Sequence, residues 1–293
     1  MSKDQIRQII ESRMPDDGMS DTGIKGVQLF RATRAVPCVP AVYEPCVIAI
    51  VSGGKETVLD GQHYVYDSRE YLCCPMSMPV EAGTPTASPE NPLYGVYITL
   101  DRPLMTELSI AMDTAGERLQ AAPGSARGIR LAEWDASFTD ALLRLLQLGR
   151  SQADLEVLGN ARRRELLYAI LKGQAGSFAR QAFGPGNAIA QSIAHLSARL
   201  DESVTIDALA ARAGMSRAVF HRKFKQATSM SPIQFVKSMR LNNAAMKIAG
   251  GMSVSRAAMT VGYVSASQFS REFKRVYGQP PRQWSDLHRG IPG

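Results

Sequence analysis

The sequence predicts an α+β protein in two parts. A small β-sandwich or barrel with flanking helices comes first. An all-α region follows, holding two helix-turn-helix subdomains joined by a linker helix. Three observations predict this. Apolar residues recur at strand spacing from about Val27 to Leu100 and at helical spacing afterwards. Gly184-Pro185-Gly186-Asn187 breaks the helical pattern. A segment near Gly214 returns about 49 residues later.

Within the β region, Val47-Ile48-Ala49-Ile50-Val51 reads as a buried strand and Ser52-Gly53-Gly54 as a turn. Glu56-Thr57-Val58-Leu59 leads into Asp60-Gly61, the strongest short hairpin signal in the chain. Gln62-His63-Tyr64-Val65-Tyr66 alternates polar and apolar residues, as a half-buried strand does. Glu70–Cys74 and Leu93–Leu100 complete the set, and many short strands with Gly and Pro turns imply a small sandwich or barrel.

After Asp101-Arg102-Pro103 the period becomes helical. Leu104, Leu108 and Met112 share one face; Phe138, Leu142, Leu145 and Leu146 make a second amphipathic helix, and Glu165–Leu171 lies in a third. Arg162-Arg163-Arg164, ahead of that last segment, is expected to be a solvated face. The helices at about 136–149 and 156–172 either cover the barrel or offer a homodimer interface.

Composition narrows the function classes. Of 293 residues, 45% are hydrophobic and 21% charged, which suits two globular domains and excludes disorder. The clean apolar run Cys46–Val51 is far short of the roughly 20 residues a membrane span needs. Met1–Arg7 has no apolar stretch behind its charge, so no secretory signal is expected. Four Cys without a CxxC pair make no disulfide framework. The expectation is a soluble, cytoplasmic protein with no membrane partner.

The formal charge of +7 is unevenly spread. Residues 1–183 hold 19 Lys+Arg against 22 Asp+Glu, whereas residues 184–293 hold 15 against 5, a net of +10. The basic charges are interleaved with regularly spaced apolar residues, so this is a folded basic domain, an electrostatic footprint for a polyanion. Residues 1–183 are expected to form one domain (barrel about 27–100, helices about 103–180). Residues 187–293 form the other, with helix-turn-helix motifs at about 205–226 and 254–275.

The repeat gives that domain its chemistry. The first copy runs through Leu209-Ala210-Ala211-Arg212-Ala213-Gly214-Met215-Ser216 to Phe220-His221-Arg222-Lys223-Phe224-Lys225. The second runs through Ala257-Ala258-Met259-Thr260-Val261-Gly262-Tyr263-Val264-Ser265 to Phe269-Ser270-Arg271-Glu272-Phe273-Lys274, with one extra turn residue. An Ala-rich helix permits close packing, Gly tolerates a left-handed turn, and Ser caps the next helix. Phe at i and i+4 faces the core. Arg217, Ala218, His221, Arg222 and Lys225 are then left outward in the first copy, and Ala266, Ser267, Ser270, Arg271 and Lys274 in the second. Such helices suit the major groove, with Arg and polar side chains on base edges and Lys on phosphates. Pro232 to Gly250 reads as one helix between the copies, with Phe235, Met239, Leu241, Ala245 and Ile248 as core positions.

Over about 193–286 the chain resembles the AraC/XylS family of bacterial transcription regulators. The resemblance is carried by Ile206-Asp207-Ala208-Leu209-Ala210, Gly214-Met215-Ser216, Phe220–Lys225, Ser231-Pro232, Arg240-Leu241, Val261-Gly262-Tyr263, Ser267–Arg275 and Tyr277-Gly278-Gln279-Pro280-Pro281. It departs from the family at Thr228-Ser229, where Thr-Gly is usual, at Asn242-Asn243, where a charged residue is common, and at the small Ala218. Tyr43-Glu44-Pro45, Gly53-Gly54-Lys55 and Tyr66-Asp67 resemble the N-terminal domain of one subfamily, which implies a cupin-like barrel. The resemblance implies an effector-responsive regulator, an activator contacting RNA polymerase, with promoter DNA, an unidentified small-molecule effector and a homodimer partner. Carried over, Arg217, Ala218, His221 and Arg222 contact DNA from the first helix, and Ser267, Ser270 and Arg271 from the second.

A cupin-type enzyme or small-molecule-binding protein with a helical appendage is the alternative. Only His63 lies in the strand region, too few imidazoles for a catalytic metal, so no metal, cofactor or catalytic residue is expected. Cys38, Cys46, Cys73 and Cys74 read as small buried hydrophobes, with a thiol sensor as the alternative.

Overall fold

The computed structural model describes residues 2–117, 127–184, 186–202 and 204–288; Pro185 of the expected linker and residues 289–293 lie outside them. Its strands form two antiparallel sheets. One contains β1 (Gly18–Asp21), β2 (Val27–Ala32), β4 (Cys46–Ser52), β7 (Glu70–Cys74), β9 (Leu93–Thr99) and β10 (Arg130–Glu133), in the order β1-β2-β9-β4-β7-β10. The other contains β3 (Val36–Tyr43), β5 (Gly54–Leu59), β6 (Gln62–Asp67) and β8 (Met78–Thr84), in the order β3-β8-β5-β6. β4 is paired on both sides, which explains its unbroken apolar run. Between β5 and β6, Asp60 and Gly61 both take positive φ, as a two-residue hairpin turn requires. β3 carries Pro37 and Pro40, which obscured it in the sequence; it is an edge strand, where a missing N–H is tolerated.

Helices cover the sheets. α1 (Ser2–Arg13) buries Ile6, Ile9 and Ile10 against β4 and β9. α2 (Arg102–Thr114) starts at Asp101, whose carboxylate accepts the Leu104 N–H at 3.1 Å. α3 (Ala136–Gln147), α4 (Gln152–Lys172) and α5 (Gly176–Phe183) follow, and Phe138, Leu142, Leu145 and Leu146 are buried as their spacing predicts. In the arginine run, Arg162 and Arg164 lie toward solvent as expected, but Arg163 does not. Arg163 is only 8% exposed and pairs with Asp101 at 3.2 Å. Helical period puts it beside Leu166, Leu167 and Ile170 on the inner face, where a charge must be paired.

The remaining helices are α6 (Ala188–Ser197), α7 (Ile206–Arg212), α8 (Arg217–Thr228), α9 (Pro232–Ala249), α10 (Val254–Thr260), α11 (Ala266–Tyr277) and α12 (Pro281–His288). A continuous apolar core runs from the sheets through α6 to α8 as far as Met239 of α9. A second core joins Leu241–Ala249 of α9 to α10, α11 and α12. α9 therefore serves both helix-turn-helix units, and it also lies against β3 and β8.

Candidate nucleic-acid interface

Each unit is built the way its sequence suggests. Gly214 (φ +63) and Gly262 (φ +87) take the left-handed turn between α7 and α8 and between α10 and α11. Ser216 and Ser265 then cap α8 and α11, accepting the Val219 and Gln268 N–H groups at 3.4 and 3.2 Å. α9 begins with a capping box between Ser231 and Gln234.

The paired phenylalanines anchor the helices. Phe220, Phe224, Phe269 and Phe273 are all fully buried. Phe224 meets Phe235 of α9 edge-on at 5.3 Å, and Phe273 meets Tyr277 and Trp284 at 4.5 and 5.8 Å. With these faces turned inward, Arg217, Ala218, His221, Arg222 and Lys225 of α8 are exposed, as are Ala266, Ser267, Arg271 and Lys274 of α11. Ser270 is half-buried and lines a groove with the start of α10 and with α12. Lys223 and Arg275 are also exposed and add to the basic surface. Helical spacing alone does not single them out, because they flank the two outward faces rather than lie on them.

Two carboxylates touch this surface in different ways. Asp207 lies 3.3 Å from Arg217, with both side chains about two-thirds exposed, so solvent leaves the pair weak and Arg217 free to move. Glu272 points inward. It accepts hydrogen bonds from Tyr263 and Gln268 and pairs with Lys237 of α9 at 3.1 Å. Burial works to raise its pKa, but the bonds from Gln268, Lys237 and Tyr263 outweigh it and hold the carboxyl below its ordinary value. Glu272 thus ties α11 to α9. Arg240 has a similar structural task, donating to the carbonyls of Leu200 and Glu202 at 2.8 and 2.9 Å.

One side chain joins four elements. Asn242 of α9 donates from Nδ2 to the carbonyls of Ala41 and Val80, at 2.8 and 2.7 Å, and these two residues face each other across β3 and β8. Its Oδ1 accepts the Tyr277 hydroxyl of α11 at 2.7 Å. Beside it the Val42 N–H donates to the Met246 sulfur at 3.2 Å. The two asparagines that depart from the family pattern therefore include the residue fastening the second unit to the sheet.

The β part offers little chemistry of its own. His63 is exposed on β6 beside Glu56, and among the described residues no three His, Cys, Asp or Glu side chains converge as a metal requires. Cys46, Cys73 and Cys74 are fully buried, and burial pushes the Cys46 thiol up to about 12. Cys38 is partly exposed, but burial with nearby Glu56 and Glu81 raises it to about 11. Such thiols are poor nucleophiles near neutral pH.

The sequence model described as the AraC-type transcriptional regulator N-terminus matches residues 23–178, more than half of the chain. The chain belongs to the AraC-type transcriptional regulators. A second model, a helix-turn-helix domain, matches residues 209–286 of this AraC-type protein. Among curated relatives, the transcriptional regulator MtrA of Neisseria gonorrhoeae is 36% identical over 85 residues, 29% of this chain and 28% of its own. The transcriptional activator RhaS of Escherichia fergusonii is 28% identical over 153 residues, 48% of this chain and 51% of its own. The match thus spans about half, or less, of these relatives' length. Among solved structures, ToxT of Vibrio cholerae has the same fold, with a TM-score of 0.58 at 11% identity, covering 90% of this chain and 98% of that one.

Proposed function

We propose that this AraC-type protein is an effector-responsive regulator that seats α8 and α11 in successive major grooves of promoter DNA. The observation that carries the reading is the pair of helices with buried Phe anchors and exposed basic faces, separated by one rigid helix. The 18 residues of α9 span about 27 Å, close to the roughly 34 Å between successive major grooves on one face. Arg217, Ala218, His221, Arg222, Ser267, Ser270 and Arg271 are assigned to bases, and Lys225 and Lys274 to phosphates. Residues 1–183 act as the sensing domain and residues 187–293 as the reading domain.

Regulation is proposed to pass through α9, since Asn242 links it to the sheet. An unsaturated fatty acid is bound to ToxT in one of its structures, which supports a small-molecule effector here. Exposed Val157, Leu158 and Tyr168 on α4 support a homodimer through that helix. RNA polymerase is the expected partner for an activator. The test is a mobility shift with genomic fragments selected by the intact protein, at two salt concentrations. Specific affinity should exceed that for random DNA and fall steeply with salt. Equal affinity for random and selected fragments would refute the regulator reading.

A further inference from the structure

A cavity of about 230 Å³ lies where the β part meets α6, away from both reading helices. Glu44 and Ser77 line one side, Arg102 another, and α6 with its cap residue Ala198 forms the third through Ala190, Ile193, Ala194 and Ser197. The polar groups here are unevenly satisfied. Arg102 sits over the Phe183 ring at 5.4 Å and makes no ion pair among the described residues; burial lowers its pKa, with no carboxylate acting against it. Glu44 accepts the Ser77 hydroxyl at 2.6 Å, and among the described residues it too makes no ion pair. Among the described residues, the Ser197 hydroxyl oxygen is buried without a hydrogen-bond partner.

A half-buried guanidinium without a counter-ion is costly, and its planar fork fits a carboxylate. A carboxylate elsewhere on the same wall fits an ammonium or another N–H donor. Opposite charges that face one cavity without meeting each other are complementary to a molecule carrying both. The volume is below the roughly 300–1,000 Å³ of drug-sized sites, so the molecule is small. We propose that this cavity binds a small zwitterionic, amino-acid-like effector, its carboxylate on Arg102, its cationic end toward Glu44, and its short hydrocarbon span along α6. Because α6 packs against α8, occupancy reaches the first reading helix. This deepens the effector-responsive reading and rests on it.

The test is calorimetric titration of the full-length protein with the standard amino acids and short ω-amino acids, alongside chain-matched monocarboxylates and amines. At least one zwitterion should bind saturably. Arg102→Gln should weaken it tenfold or more, and Arg102→Lys should restore only part of that loss. Glu44→Gln should weaken the zwitterion but leave the matched monocarboxylate unchanged. Each variant's thermal midpoint and basal DNA affinity serve as the folding check. If a variant misfolds, Ala194→Leu, which fills the cavity, replaces it and should abolish binding. No binding by any zwitterion, or binding that survives these variants, overturns the site. Zwitterion binding that obeys the variants but leaves promoter affinity unchanged would keep the site and refute the effector reading instead.

Discussion

Asn242→Ala tests the joint between the two parts. The substitution removes three hydrogen bonds: two to the Ala41 and Val80 carbonyls and one from the Tyr277 hydroxyl. Each such bond is worth about 1 kcal/mol net. The carbonyls can keep their bonds within the β3–β8 ladder, but the Tyr277 hydroxyl loses its acceptor in a site buried enough to push its pKa well up. A stranded buried hydroxyl adds about 1 kcal/mol more, so the total is about 3–4 kcal/mol. Asn242→Asp should be at least as harmful, because a carboxylate would face two carbonyl oxygens. Urea unfolding of the full chain, followed by tryptophan fluorescence and far-UV dichroism, measures the loss. The two probes should also separate, since the second helix-turn-helix unit contains Trp284 and would uncouple from the sheets. A double-mutant cycle with Tyr277→Phe should return a coupling of about 1 kcal/mol. A loss below about 0.5 kcal/mol, or an Asp variant as stable as the parent, would refute the hydrogen-bond account.

Other substitutions test the two units separately. Ser229 ends α8 with φ +68, where the matching position after α11 is Gly278 at φ +76, so Ser229→Gly should stabilise the chain by about 1 kcal/mol in the same urea assay. Gly214→Ala and Gly262→Ala both force a side chain into the left-handed region. Only at Gly262 would the added carbon also meet backbone, at 2.8 Å from the Leu200 oxygen, so Gly262→Ala should lower the thermal midpoint clearly more than Gly214→Ala. Glu272 has a folded pKa below its ordinary 4.5. Its contribution is therefore present above that value and lost as pH falls through the folded pKa, and acid titration should loosen the second unit; Glu272→Gln should flatten that dependence.

The helix-turn-helix units were legible because their signals are local. A left-handed Gly, a Ser cap and Phe at i and i+4 fix the turn and the inner face without help from distant residues. The β4 strand and the Asp60-Gly61 hairpin were legible for the same reason. What the sequence hid depends on packing. α1 is strongly polar apart from Ile6, Ile9 and Ile10, and its place is decided by the sheet it covers. Pro37 and Pro40 disguise β3 until its edge position is known. Arg163 looked like its exposed neighbours until Asp101 was brought to it from the start of α2. Asn242 stood out only as a departure from a pattern; its three partners lie 35 to 201 residues away, beyond any local signal. The Arg102–Glu44 cavity likewise joins residues from two loops, a helix start and α6.

The central claim is that α8 and α11 read DNA together, one helical turn apart. Hydroxyl-radical and methylation-interference footprinting of the full-length protein on a selected promoter fragment tests it most directly. The account predicts two contacted major-groove patches on one face of the duplex, about one turn apart, with Arg222→Ala relieving one and Arg271→Ala relieving the other. A single patch, or two variants that erase the same patch, would contradict it.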